Sequence, residues 1–448
     1  MKMYKQLSEL GGIVTGKTPS TTNNELWGGT IPFITPTDIE GYDTYYQEST
    51  ERTVSAYGAS RQQKTLLPPN TVCVTCIGST IGKPCITKSA SITNQQINTI
   101  IPNKDNDYRY IYYLIREALP YFQLIGGGSG SGTPIISKNK FAKLKFPIEP
   151  NLQKQRKIAS ILSAYDSLIE NNTKRIRLLE QMAENLYKEW FVRFRFPGYE
   201  NTEFVGSKLG RLPATFQVTN MNSIFEYYIG GGWGNDDYSE DYPIEARVIR
   251  GADFPSVWRY DLSSCPRRYH KISNYKSRQL VEGDIVMEIS GGTSEQPVGR
   301  TVLVTQEMID RFKDGKVICA SFCKLIRLNK AVASPYFFYY WMQYLYCTRI
   351  IDRFQLQSTG IINFKFEAFL RKGLVMLPPM DIMNIFESQI IPIIKEINKL
   401  AMQNENLIKQ RDALLPRLMS GKLEVKTKFG RREQDNRHRE WYCCGYEF

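Results

Sequence analysis

Residues 152–190 read LQKQRKIASILSAYDSLIENNTKRIRLLEQMAENLYKEW, and residues 390–418 read IIPIIKEINKLAMQNENLIKQRDALLPRL. In the first stretch apolar positions recur at alternating steps of four and three. One row is Ile158, Tyr165, Asn172, Leu179 and Leu186; the other is Leu162, Ile169, Ile176, Ala183 and Trp190. The second stretch repeats this with Ile390, Ile397, Asn404, Arg411 and Leu418 beside Ile394, Ala401, Ile408 and Leu415. A 3.5-residue period held over about four heptads predicts coiled-coil helices. Asn172 and Asn404 fall at equivalent seam positions, where a buried polar residue sets register. Arg411 breaks the pattern, and Pro392 is expected to kink the second helix or mark its start. About forty residues make a rod of roughly 60 Å, too long to bury itself in one small domain. The two rods are therefore expected to pack on each other, as a dimerisation stalk or as a spacer between globular heads.

Working outward from the rods, the chain is a duplication with a period of about 230 residues, the separation of Asn172 from Asn404. Each half opens with short β-type runs broken by glycine and proline. These are Ile31–Ile39, Thr71–Ile77 and Ile97–Ile101 in the first half, and Arg247–Ile249, Asp284–Ile289 and Phe322–Leu328 in the second. An aromatic helix follows in each, Tyr108–Ile115 and Tyr336–Leu345. Then come a Gly/Ser loop (126–132; Ser358-Thr359-Gly360), a paired isoleucine (Ile135-Ile136; Ile361-Ile362) and a proline-marked edge (Pro147/Pro150; Pro378-Pro379).

The length of 448 residues suits two or three domains. Lys plus Arg number 58 against 45 Asp plus Glu, a net charge of +13, which favours a polyanionic partner. The start has no apolar stretch of secretory type. The most apolar run, Phe337–Cys347, is about half what a bilayer requires. Nine cysteines without a framework suit a reducing cytoplasm, where the chain is expected to reside. Two histidines, His270 and His438, exclude chemistry built on several imidazoles.

A catalytic centre lacks its parts. An amino-group methyltransferase needs Asn or Asp before Pro-Pro-aromatic, but both Pro-Pro pairs follow leucine. Gly78-Ser79-Thr80-Ile81-Gly82-Lys83 has the wrong spacing for a phosphate loop, and Pro84 stands where a hydroxyl is required. The glycine triplets 126–128 and 230–232 lack the acidic partner of a dinucleotide site. Cys73/Cys76 and Cys319/Cys323 have no histidine near them and read as reduced buried thiols, with no metal expected. Glu424-Val425-Lys426 resembles part of a metal-nuclease motif by composition alone.

Polar and basic residues instead gather in the loops of both halves. In the first they are Lys17, Thr18, Thr35, Thr37, Asp38, Arg61, Gln62, Gln63, Lys64, Ser79, Thr80, Lys83, Asn94, Gln95 and Gln96. In the second they are Arg250, Asp253, Arg259, Arg267, Arg268, Arg278 and Arg300. Arg, Gln and Asn pair with guanine and adenine edges, whereas Lys and hydroxyl groups hold phosphates. Singly, each of these is more often a solvated surface group; the grouping in both halves makes them candidate DNA contacts.

The order of these motifs resembles the specificity subunit of type I restriction–modification systems. The residues that carry the resemblance are Gly16-Lys17-Thr18-Pro19-Ser20, Trp27-Gly28-Gly29, Ile31-Pro32-Phe33 with Asp38-Ile39, Gly78–Lys83, and Asn94-Gln95-Gln96. The entry to the first helix at Pro150–Ile161 and the run Leu414–Leu423 complete them. The resemblance implies an α+β chain with two similar target-recognition domains, separated by two long helices packed as an antiparallel coiled coil. The expected division is residues 1–150, first helix 151–195, second domain 196–379, second helix 380–422 and a polar tail 423–448. It implies that each domain reads one half of a bipartite duplex DNA target while the helices set the gap. Two modification (methyltransferase) subunits would dock on the helices, with Ile158, Leu162, Tyr165, Ile169, Asn172, Ile176, Leu179, Ile390, Ile397, Asn404 and Ile408 as seam or docking residues, and restriction subunits would join. The chain itself would be non-catalytic and bind no cofactor; S-adenosylmethionine, ATP and magnesium would belong to the partners. The alternatives are a non-catalytic coiled-coil scaffold whose basic heads bind RNA or acidic proteins, and a self-sufficient methyltransferase or nuclease.

Overall fold

A computed structural model describes residues 3–39, 41, 44–127, 135–293, 296–358 and 361–425. Most of the first Gly/Ser loop, Thr359-Gly360, Lys426 and the rest of the tail, and the side chain of Ser79 lie outside the described residues. The chain divides into two compact units, Met1–Glu170 with Asn406–Phe448, and Asn171–Glu405.

In the first unit β-branched runs form β1 (Gly11–Thr15), β2 (Trp27–Ile34), β3 (Val72–Thr75), β4 (Pro84–Thr87), β5 (Ile92–Thr93) and β6 (Ile97–Pro102). One sheet has the order β1-β6-β3-β4 and ends on the short strand Tyr46–Gln47; in a second, β2 pairs in parallel with β5 and antiparallel with Thr53–Val54. The aromatic helix α1 (Tyr108–Glu117) buries Tyr110, Tyr112 and Tyr113 against this framework. Asp107 starts it by accepting from the backbone N–H groups of Arg109 and Tyr110.

The second unit repeats the plan. Its strands are β7 (Phe225–Gly230), β8 (Ile244–Ile249), β9 (Ile285–Glu288), β10 (Thr301–Leu303), β11 (Val317–Cys319) and β12 (Cys323–Leu328), in a sheet of order β7-β12-β9-β10. Here β8 pairs in parallel with β11 and antiparallel with Arg267–His270. The aromatic helix α3 (Pro335–Cys347) is capped by Ser334.

Backbone hydrogen bonds align the halves residue by residue. Gly16 N–H donates to Ile97 as Gly231 does to Cys323, and Asn94 donates to Ile34 as Ala320 does to Ile249. Cys76 donates to Gln96 as Ile289 does to Phe322; Gly82 donates to Thr75 as Gly299 does to Glu288. The duplication read from the sequence is thus real, with a correction to its register. Ile136 donates to Cys76 as Phe364 does to Ile289, so Ile135-Ile136 matches Asn363-Phe364 and not the Ile361-Ile362 pair.

The long helices are α2 (Leu152–Tyr187), continued by a π-helical turn at Lys188–Val192, and α4 (Met380–Ser420). The α4 helix begins ten residues before Ile390 and continues through Pro392, which therefore does not mark its start. In each unit the helical segments run antiparallel. In the second, Arg175 bonds Glu396 at 2.9 Å, while Asn172 and Thr173 meet Gln403 and Asn404 at 3.5 and 3.3 Å. Each seam asparagine is thus tied to the neighbour of the other. In the first unit Ile158 and Leu162 share a core with Leu415 and Leu418. Ile390 and Ile397 are buried; Tyr165, Ile169, Ile176, Leu179, Asn404 and Ile408 are half-buried and Asn172 is buried. Arg411 is no interruption. It is buried and ion-paired with buried Asp166, to which the Tyr113 hydroxyl also donates. Burial and that carboxylate push the Tyr113 hydroxyl pKa upward.

Candidate nucleic-acid interface

In the first unit the register brings four strand ends to one edge. The parallel pair β2 and β5 end side by side at Ile34 and Thr93, which delivers the turns 35–38 and 94–96 together. The antiparallel partner β1 ends beside the start of β6, adding Gly16-Lys17-Thr18, and β3 ends there too, adding the turn 76–83. Gly16 is required at this crossing: a Cβ would lie 2.2 Å from the carbonyl oxygens of Thr93 and Asn94.

This edge collects much of the polar set. Lys17 is exposed, and the Thr18 hydroxyl donates to Gln95 Oε1 at 2.8 Å. Asn94 Oδ1 accepts from the Gln96 N–H at 3.1 Å and its Nδ2 donates to Gln96 Oε1 at 3.2 Å, which shapes the turn. Asp38 caps the turn after β2, accepting from the Thr35 N–H at 2.8 Å and the Thr35 hydroxyl at 2.6 Å; the hydroxyls of Thr35 and Thr37 are 2.8 Å apart. Lys83 Nζ donates to the Ile39 carbonyl at 3.3 Å, which ties the turn after β3 to the one after β2. Thr80 is half-buried in that turn, its hydroxyl on the Ile77 carbonyl at 3.3 Å.

Three candidates lie elsewhere. Arg61, Gln62 and Lys64 follow the short helix Ala56–Ser60, which packs against Leu26 at the opposite end of β2. Arg61 Nη2 donates to the Tyr57 hydroxyl at 3.0 Å, Gln62 Oε1 accepts from Thr65 at 3.0 Å, and Lys64 is exposed.

The second unit builds the same edge with different side chains. Arg250 takes the place of Thr35 and Asp253 that of Asp38, accepting from the Arg250 N–H at 2.9 Å. Gly231 stands for Gly16, with a Cβ again 2.2 Å from two carbonyl oxygens, those of Cys319 and Ala320. Trp233 therefore stands for Thr18, and Phe322, 68% exposed, for Gln96. Neither aromatic belongs to the polar set read from the sequence. Phe322 was expected to begin a strand, but β12 begins at Cys323 and leaves Phe322 in the turn.

Two of the candidate arginines are buried and ion-paired within the fold. Arg300 occupies the place of Lys83 yet is 6% exposed, with Nη2 on Glu288 Oε1 at 2.6 Å and on the Gly251 carbonyl at 2.8 Å. Its Nε and Nη2 donors are committed inside the fold, where it braces the turn. Arg268, 8% exposed, pairs with Asp236, donates to the carbonyls of Trp233 and Gly234 at 3.2 and 3.3 Å, and lies 4.5 Å from the Trp233 ring centroid. It supports the tryptophan. Arg250 is partly committed, to Asp253 and to the Ser264 carbonyl at 3.0 Å. Arg278 donates to the Gly230 carbonyl at 2.9 Å. Arg267 and Arg259 are exposed, Arg267 lying 3.5 Å from Glu245.

Among the described residues no group of three or more His, Cys, Asp or Glu side chains is placed to hold a metal, and no helix is long and apolar enough to cross a membrane. Among the described residues seven cysteines are free, all buried except Cys347.

Comparison with known proteins agrees with this duplicated, helix-linked fold. Residues 2–181 match the family model described as the type I restriction modification DNA specificity domain. The chain is 28% identical over 428 residues to the type I restriction enzyme MjaIX specificity subunit of Methanocaldococcus jannaschii, covering 94% of this chain and 93% of that one. It is 32% identical over 182 residues to the HindI specificity subunit of Haemophilus influenzae, covering 39% and 38%. The crystal structure of a type I restriction–modification system S subunit from M. genitalium superposes with a TM-score of 0.55 at 13% identity, covering 95% of this chain and 97% of that one. Over nearly its whole length the chain is thus similar to specificity subunits of type I restriction–modification systems, and its first 181 residues hold the match to their DNA specificity domain.

Proposed function

We propose that this chain is the DNA-recognition subunit of a type I restriction–modification complex, each head reading one half of a bipartite duplex target. The observation that carries this is the repetition of one edge. The same backbone hydrogen bonds converge four strand ends in both halves, yet the side chains displayed differ at matching places. A shared frame with unlike contacts is what two different half-sites require. The helices set the unread gap and offer docking faces to two modification subunits, with restriction subunits joining that assembly. Reaction chemistry belongs to those partners, which use S-adenosylmethionine, ATP and magnesium, and this chain serves them in the cytoplasm without a catalytic residue of its own.

The test is binding by the chain assembled with its modification subunits. Duplexes carrying the motif found by methylation sequencing should be bound in preference to scrambled duplexes and to RNA. The affinity should fall with salt by about 0.9 counterion per neutralised phosphate. Equal affinity for RNA or for any duplex would favour the scaffold with basic heads and overturn this reading.

A further inference from the structure

The two reading edges differ most where the second head carries aromatics. Phe322 occupies the place of Gln96, and Trp233 that of Thr18, in a frame otherwise held by the same hydrogen bonds. Phe322 is 68% exposed, and the peptide unit that joins it to Cys323 is held at both its carbonyl and its N–H. Its carbonyl accepts from the Ile289 N–H at 2.9 Å, and the next residue, Cys323, donates to Ala320 at 2.8 Å. The ring is therefore held out from a rigid turn. Trp233, 40% exposed, is backed by the Arg268 guanidinium, itself anchored to Asp236 and to the Trp233 and Gly234 carbonyls. Both aromatics stand on well-supported backbone, and both replace hydrogen-bonding side chains of the first head.

An aromatic ring cannot make the bidentate contacts through which amides recognise adenine. The apolar feature of a base edge in the major groove is the 5-methyl group of thymine. We propose that Phe322 is a specificity-determining residue of the second head that reads a thymine methyl in its half-site, while the first head reads polar base edges at the matching place through Gln95 and Gln96. This rests on the DNA-recognition role proposed above.

The experiment uses the chain with its modification subunits and duplexes carrying the motif found by methylation sequencing. Each thymine of either half-site is replaced singly by deoxyuridine, which removes only the methyl. The expected result is one position in the second half-site where deoxyuridine weakens binding about fourfold, the value of one buried methyl-sized group. In Phe322→Ala, thymine and deoxyuridine at that position should be bound equally, with the first half-site unchanged. Undiminished discrimination in Phe322→Ala, a uniform loss across all sequences, or a loss of modification-subunit binding without change in the thymine/deoxyuridine ratio would each overturn the assignment. Failure of the unaltered complex to prefer its own motif would instead refute the DNA-recognition role itself.

Discussion

Arg411 and Asp166 meet inside the first unit at 1% and 3% exposure, a cation on the seam of one long helix held by a carboxylate on the other. Around them Arg116 lies 4.0 Å from Asp166 and 3.1 Å from Asp412, and the Tyr113 hydroxyl donates to Asp166. The network joins both helical segments to the aromatic helix of the first head. Removing its buried carboxylate leaves Arg411 and Arg116 to share the exposed Asp412, 3.0 and 3.1 Å away. Asp166→Ala should cost about 3–5 kcal/mol in urea unfolding, whereas Arg411→Met, which leaves Asp166 beside Arg116, should cost less.

Lys83 and Arg300 occupy matching positions, Lys83 half-buried on the Ile39 carbonyl and Arg300 buried on Glu288. Lys83→Gln should leave the unfolding temperature close to that of the unaltered chain, weaken DNA binding across all sequences and reduce the salt slope by about 0.9. Arg300→Gln should instead strand Glu288, 4% exposed on its side chain, and destabilise the second unit by about 3–5 kcal/mol in the same unfolding assay.

Gly231 lies where backbone meets backbone. Gly231→Ala drives a methyl against the Cys319 and Ala320 carbonyls, neither of which is the flexible end of a side chain. A destabilisation of about 1–3 kcal/mol is expected. Footprinting should show the second half-site lost while the first is retained.

His270 is buried, and neither ring nitrogen has a hydrogen-bond partner. Burial, aided by the charges of Arg268 and Arg278, lowers its pKa to about 4. The unfolded chain takes up that proton near pH 6.5. The contribution is therefore complete above about 6.5 and is lost progressively as pH falls from there toward 4. Urea midpoints measured from pH 7 to 4 should decline more steeply for the unaltered chain than for His270→Leu.

Much of this was legible in the sequence, because heptads, β-branched runs and aromatic helices are local patterns. The buried arginines were not. Asp166 is 245 residues from Arg411 and Glu288 is twelve from Arg300, so nothing local marks these cations as neutralised. Pro392 suggested a break in α4 because proline removes one hydrogen bond, but the helix holds through it on the buried face of Ile390, Ile393, Ile394 and Ile397. Phe322 was hidden for the opposite reason: an apolar residue beside a strand reads as core, and only the register of β9 against β12 places it in a turn.

The most direct measurement of the gap-setting role proposed for the helices is the gap itself. One heptad is deleted from α2 and its facing heptad from α4, and methylated sites are sequenced in cells that also make the modification subunits. About 10 Å of helix is lost, equivalent to about three base-pair steps. The expected result is a motif with both half-sites unchanged and a spacer about three base pairs shorter. An unaltered spacer, or a single contiguous motif from the parent chain, would contradict the proposal that the helices set the gap between two half-sites.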